Sequence, residues 1–154
     1  MITAVLLHNI RSAHNVGAIF RTADAAGVSH VYITGYTPSP IDRFGRTSSA
    51  IAKTALGAES STQWEHRASA AKLIAGLRAD GWRVVGVEQD ARSQDYRALR
   101  VRDKTLFVFG NEVRGLSKPL RDSCDELVEI PMHGEKESLN VSVAAGVILF
   151  SCAR

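Results

Sequence analysis

Apolar residues follow two alternating rhythms along this chain. Short bulky runs are separated by stretches in which apolar positions recur every three or four residues. Val5-Leu6-Leu7 reads as a strand. Val16, Ile19, Phe20 and Ala23 then keep helical spacing as far as Ala26, and Gly27 stands where a C-terminal cap glycine belongs. Val31-Tyr32-Ile33 is a second strand, closed by Gly35, Pro38 and Pro40. The same alternation predicts helices over Ser49 to Leu56, Ala70 to Ala79, Lys118 to Cys124 and Val141 to Cys152. Strands are predicted at Val84 to Val87, Leu106 to Phe109 and Leu127 to Ile130. Residues 91–103 are polar and give no clear rhythm.

Short apolar strands alternating with helices predict an α/β fold, a mostly parallel sheet with helices on both faces. A length of 154 residues suits one domain, read here as 1–154. In such sheets ligands sit beyond the carboxyl ends of the strands. Three polar segments fall there: Asn9 to Arg21, Gly110 to Ser117, and Pro131 to Asn140.

Composition narrows the class. Hydrophobic residues at 45% and charged residues at 23% are ordinary for a globular protein. No apolar run approaches the length of a membrane span, and the amino terminus reads as a strand rather than a signal peptide. Cys124 and Cys152 have no metal or redox spacing, which fits two thiols in a reducing cytoplasm better than a disulfide. The histidines at 8, 14, 30, 66 and 133 show no zinc-ligand spacing, and no metal is expected. The net charge of +3 permits an anionic partner without requiring one. Its distribution says more. Arg43 and Arg46 flank a glycine, and arginines 92, 97, 100 and 102 crowd a second stretch. Each group is either a solvated surface or a phosphate-contacting patch.

In the first segment Asn15 stands where the N-cap of the first helix is expected. Arg21, four residues after Gly17, is expected to lie over the turn that Gly17 leaves open. That guanidinium is either simply solvated or set near a helix N-terminus that favours anions. In the second segment Gly110 and Gly115 bracket Glu112 and Arg114 in a tight loop, and Ser117 is a candidate cap. Neither G-x-G-x-x-G nor the P-loop pattern occurs. In the third segment Ser138 is either an N-cap for the last helix or a site residue.

Together these segments resemble the three signature motifs of the SpoU/TrmH branch of the SPOUT RNA methyltransferases. The motifs are Asn-x-Gly-x-x-x-Arg from Asn15 to Arg21, Gly-Asn-Glu-x-x-Gly-Leu from Gly110 to Leu116, and Ile-Pro-Met-x-Gly-x-x-x-Ser-Leu-Asn-Val-Ser from Ile130 to Ser142. Lys53 to Glu59 is also familiar from that branch, and the likeness covers essentially the whole chain. The resemblance implies a C-terminal deep trefoil knot, S-adenosylmethionine as methyl donor, and a homodimer with each active site near the subunit interface. It implies a ribose 2′-hydroxyl of tRNA or rRNA as acceptor. Carried over, Asn15, Arg21, Glu112, Ser138 and Asn140 form the catalytic set. Glu88, Gly110, Ile130, Met132, Ser138, Leu139 and Asn140 hold the cofactor. Asn15, Arg21, Arg43, Arg46 and Arg114 meet RNA. Some relatives carry an extra RNA-binding domain or a basic tail, and neither is expected here, so the domain is expected to supply its own RNA contacts.

Arg21 matches a residue often assigned as general base. A guanidinium with a pKa above about 12 suits the stabilisation of a developing alkoxide better. A base-nitrogen methyltransferase and a catalytically silent RNA-binding module are the alternatives. Ser138-Leu139-Asn140 argues against the first, and the intact Arg21, Glu112 and Asn140 against the second. The last helix is apolar around most of its circumference and needs cover on more than one side, which also points to a dimer.

Overall fold

Successive strand residues send their side chains alternately into two cores, one on each face of a single sheet. The structure is a computed structural model describing residues 1–153. Its strands are β1 (Ile2–His8), β2 (His30–Thr34), β3 (Trp64–His66), β4 (Arg83–Val87), β5 (Gln94–Asp95), β6 (Lys104–Phe109) and β7 (Glu126–Glu129). The helices are α1 (Ala13–Ala25), α2 (Ser49–Ala55), α3 (Ala58–Ser61), α4 (Ala70–Ala79), α5 (Lys118–Ser123) and α6 (Val141–Cys152). Val5, Leu7, Phe107 and Phe109 pack on Phe20 of α1, Ile51 of α2 and Ile148 of α6. Ala4, Leu6, Leu106 and Val108 face the other way, onto Leu73 and Ile74 of α4 and Leu120 of α5. Burial on both faces is why these strands read as continuous apolar runs.

The strand order is β3-β2-β1-β6-β4-β7-β5, and every pairing is parallel. Two strands enter late between earlier ones: β6 between β1 and β4, and β7 between β4 and β5. The carboxyl ends of β6, β4 and β7 therefore lie side by side.

The sequence reading missed the short elements. β3 and β5 are too brief and polar to show a period, and α3 is a single turn. The polar stretch 91–103 holds β5 and a 3₁₀ turn at Tyr96–Ala98. β7 ends at Glu129, so Ile130 belongs to the following loop.

Two cap assignments are corrected. Helix α1 begins earlier than expected, and Ser12 is its N-cap, accepting from the Asn15 N–H at 3.2 Å. That leaves the Asn15 side chain free for other work. Asn140, not Ser138, caps α6 and accepts from the Ser142 N–H at 2.8 Å. Ser117 occupies the N-cap position of α5 without a side-chain cap bond. Gly17 serves a different neighbour than expected. A Cβ there would overlap the Ile51 carbonyl and the Thr54 hydroxyl, so α2, not Arg21, occupies the space it leaves. Thr54 seals that contact by donating to the His14 carbonyl at 2.9 Å.

Cys124 is a free, half-buried thiol that donates to the Leu120 carbonyl at 3.2 Å. Burial, with help from Asp125, pushes it up to about 12, so it is no nucleophile at neutral pH. Among the described residues no helix is long and apolar enough to cross a membrane.

Candidate active site

The loops leaving β4, β6 and β7 enclose a cavity of about 290 Å³ with the first turn of α6. A larger opening of about 800 Å³ lies at the amino ends of β4 and β6. Two of its arginines are already paired there, Arg78 with Asp125 and Arg83 with Glu126, each at 2.8 Å. The cavity at the carboxyl ends is where an open α/β sheet places a ligand.

Asn111 builds the floor. It is almost fully buried and meets all of its bonding capacity. Its Oδ1 accepts from the Val113 and Arg114 N–H groups at 2.9 and 2.8 Å. Its Nδ2 donates to the Asn9 carbonyl and the Tyr36 hydroxyl, both at 3.0 Å. The loop thus folds back on itself, and Gly115 takes φ +65°. A Cβ on Gly110 would come within 2.6 Å of the Gly115 backbone. The openness of Gly110 serves that closure first, and any ligand second.

Glu88 lies beneath the same loop. Its carboxylate accepts from the Leu116 N–H at 2.6 Å and from the Gln89 N–H at 2.9 Å. Gln89 in turn donates to the Glu137 carbonyl at 2.6 Å, which ties the loop after β4 to the segment after β7. The remaining wall is mixed. Val87, Phe109, Ile130 and Leu139 supply apolar surface, and Glu129 and Glu137 supply carboxylates. Met132 and Ser138 also line the space, whereas Asn140 stands outside it.

Beside the cavity runs a chain of polar contacts between distant segments. The Glu112 carboxylate accepts from the backbone N–H groups of Arg11 and Ser12 at 2.8 and 2.9 Å. It also accepts from Asn15 Nδ2 at 3.1 Å, and Asn140 Nδ2 donates to Asn15 Oδ1 at 3.2 Å. Partial burial pushes the Glu112 carboxyl up, but the donors from Arg11, Ser12 and Asn15 outweigh it and hold it below the ordinary carboxylate range. Helix α1 has no acidic residue in its own first turn, so Glu112 supplies the anion its N-terminus favours.

The structure thus brings together Asn15, Glu112 and Asn140, and sets Glu88, Gly110, Ile130, Met132, Ser138 and Leu139 around one cavity. It does not bring Arg21 there. Arg21 lies six residues beyond Asn15 on α1, about 120° around the axis. It is exposed, and its guanidinium has no partner among the described residues. Arg43 and Arg114 are exposed too, whereas Arg46 is paired with Asp42 at 2.8 Å. The second arginine cluster is partly spent. Arg92 bridges Asp90 and Asp122, and Arg97 is clamped by Asp95. Sequence reasoning missed Asn9, Gln89 and Asn111. Only Asn111 carried a signal, since an Asn in a glycine-bracketed loop favours bonding its own backbone two residues on.

Known proteins share the sequence pattern and the fold of this chain. The model of the SpoU rRNA methylase family matches residues 3–150. The 23S rRNA (guanosine-2′-O-)-methyltransferase RlmB of Xylella fastidiosa is 38% identical over 150 residues, covering 97% of this chain and 57% of that protein. An AdoMet-bound rRNA methyltransferase from Sinorhizobium meliloti superposes with a TM-score of 0.88 at 32% identity, over 97% of this chain and 55% of that one. A TrmH/SpoU tRNA modifying enzyme of A. aeolicus gives 0.84 at 28% identity, over 97% and 72%. The chain spans less than three fifths of the length of the curated relatives it matches.

Proposed function

This chain belongs to the SpoU rRNA methylase family, and from that premise we propose that it transfers a methyl group from S-adenosylmethionine to a ribose 2′-hydroxyl of structured RNA, either tRNA or rRNA. The convergence of three distant segments supports this most: Asn15, Glu112 and Asn140 form one hydrogen-bonded chain beside a cavity walled by the other motif residues.

The cavity suits the cofactor chemically. Its volume is near the lower end of small-molecule sites, roughly 300–1,000 Å³. Its apolar wall of Val87, Ile130 and Leu139 suits a purine, and Glu129 and Glu137 suit a ligand bearing a sulfonium and an ammonium. Bound there, the cofactor supplies an electrophilic methyl carbon. Glu88 and Gly110 hold the loop that shapes the floor, while Met132 and Ser138 close the side.

Asn15 and Asn140 orient the acceptor ribose, and Glu112 fixes Asn15 in one orientation. Arg21 steadies the alkoxide that develops on the ribose oxygen while gripping a neighbouring phosphate. Its exposed guanidinium is available for that role. Arg43 and Arg114 hold the RNA backbone, and Arg46 shapes the loop that carries Arg43.

The unit acts as a homodimer. Val143 and Phe150, seven residues apart on one face of α6, are 51% and 53% exposed. A dimer would cover them and bring Arg21 against a partner's cavity. The late insertion of β6 and β7 between earlier strands supports a C-terminal trefoil knot. Residues 1–154 form one catalytic domain working in the cytoplasm.

The test has two arms. Calorimetric titration with S-adenosylmethionine measures cofactor binding, and nucleoside mass spectrometry of RNA incubated with enzyme and cofactor identifies the product. A 2′-O-methylated nucleoside is expected. Base methylation alone, or cofactor binding without transfer to any RNA, would count against the proposal.

A further inference from the structure

The loop joining β2 to α2 rises from the cavity floor and ends in an exposed aromatic tip. Tyr36 at its root is 57% exposed and is anchored through its hydroxyl to Asn111. Phe44 at its tip is 67% exposed. Asp42 fixes the turn between them. Its Oδ1 accepts from the Phe44 and Arg46 N–H groups at 2.8 and 3.0 Å, and its Oδ2 accepts from Arg46 Nε at 2.8 Å. An Ile41–Thr47 bridge closes the base of the turn.

Two guanidiniums lie over the Phe44 ring, Arg43 at 4.8 Å and Arg46 at 5.1 Å from its centroid. They differ in commitment. Arg46 is tethered by Asp42, whereas Arg43 has no ion pair or side-chain hydrogen bond among the described residues. Leaving a large aromatic ring in water at the tip of a braced turn gains the fold no burial. The neighbouring cations raise the local affinity for an anion and do not suit an apolar protein groove.

We propose that Phe44 is a stacking platform for an unpaired base of the RNA, with Arg43 swinging off the ring to hold that nucleotide's phosphate. A base has a π-face like that of a guanidinium, so it replaces Arg43 on the ring without loss of stacking. Arg46 stays behind as the tethered backing. Tyr36, one hydrogen bond from Asn111, ties the platform to the floor of the catalytic cavity. The platform therefore selects a looped or single-stranded region beside the methylated ribose, since the bases of a duplex are not free to stack on it.

This inference rests on the proposed RNA methyltransferase activity, and the experiment separates the two. The full chain is titrated by fluorescence anisotropy against a labelled stem–loop with an unpaired adenosine loop, and against a blunt duplex of equal length. Phe44→Ala is expected to weaken stem–loop binding about tenfold, the order one base–aromatic stack supplies, and to leave duplex binding within about twofold. Phe44→Leu, which keeps apolar bulk without a π-face, should behave like Phe44→Ala, and Phe44→Trp should bind at least as well as wild type. Arg43→Ala should lower the salt dependence of binding by about one phosphate contact. Equal losses on both RNAs, a Phe44→Leu protein that binds as wild type, or a changed oligomeric mass in Phe44→Ala would each overturn the platform. A wild type that methylates RNA with no sensitivity to Phe44 overturns the platform alone. A wild type that binds neither RNA overturns both readings.

Discussion

Asn15 Nδ2 donates to the Glu112 carboxylate at 3.1 Å and joins residues 97 positions apart. The same carboxylate accepts two backbone N–H groups ahead of α1, so one side chain both starts a helix and fixes an amide beside the cavity. Replacing it tests both roles. Glu112→Gln puts an amide among donors and leaves at least one of them without an acceptor. We expect a loss of about 1–3 kcal/mol in urea unfolding, toward the lower end because the site is partly solvated. A variant as stable as wild type would mean that water already serves these donors.

The pH dependence has a definite sign. The Glu112 carboxyl is held below its ordinary range in the folded protein. Its contribution is therefore fully present above the carboxyl value of the unfolded chain and is lost as pH falls through the lower folded value. The stability gap between wild type and Glu112→Gln should narrow on acidification from neutral pH, and unfolding curves at a series of pH values measure it. A gap that widens in acid contradicts this assignment.

Two helix glycines provide an internal control. At Gly17 an added methyl meets the α2 backbone at Ile51, which cannot move cheaply. At Gly76 it meets nothing within 4 Å. Gly17→Ala should cost about 1–3 kcal/mol by overpacking. Gly76→Ala should add roughly 0.5–1 kcal/mol by restricting the unfolded chain. Thermal melts of both variants in one buffer decide the matter, and equal shifts would show that α2 accommodates the methyl.

Gly115→Ala combines a positive φ with the Glu88 carboxylate packed directly against the glycine. The substitution must displace Glu88 or twist the loop. Affinity for S-adenosylmethionine should fall at least about tenfold by calorimetry, a difference near 1.4 kcal/mol, while far-ultraviolet dichroism remains that of wild type. Undiminished affinity would place the cofactor elsewhere.

Assembly and Arg21 are tested together. Wild type should scatter light as twice 16.7 kDa, and Phe150→Asp should scatter as a monomer. Arg21→Ala should keep its dimeric mass and its cofactor affinity. It should lose at least about a hundredfold in single-turnover methyl transfer, an amount typical of a removed oxyanion donor. Arg21→Lys should recover little of that loss, because the planar fork is gone. A fully active Arg21→Lys protein would argue that charge alone suffices.

The sheet and its covering helices were legible because Val5-Leu6-Leu7 and Leu106 to Phe109 are buried on both faces and so read as unbroken apolar runs. β3 and β5 were not legible, since Trp64–His66 and Gln94–Asp95 are too short to display a period. Motif residues were found as letters without their mechanics. The sequence places Glu112 in a tight loop, yet its carboxylate turns to donors about a hundred positions away, a relation no local window contains. Asn15 was placed at a cap because helix starts are read from nearby polar residues, and Ser12 three positions earlier satisfies the same rule. Arg21 was given an open turn over Gly17, but only the tertiary structure shows α2 filling it.

The sheet order also governs how the molecule is born. The ribosome releases β1 and β4 before β6, the strand that must lie between them. Until residues 104–109 emerge, the middle of the sheet is a gap flanked by two unpaired strand edges, Ile2–His8 with Val5, Leu6 and Leu7 and Arg83–Val87 with Val84, Val85 and Val87. A second gap between β4 and β5 waits for residues 126–129. Synthesis and assembly thus run in different orders, and a nascent chain interrupted before its last third carries sticky open edges that no local contact can close.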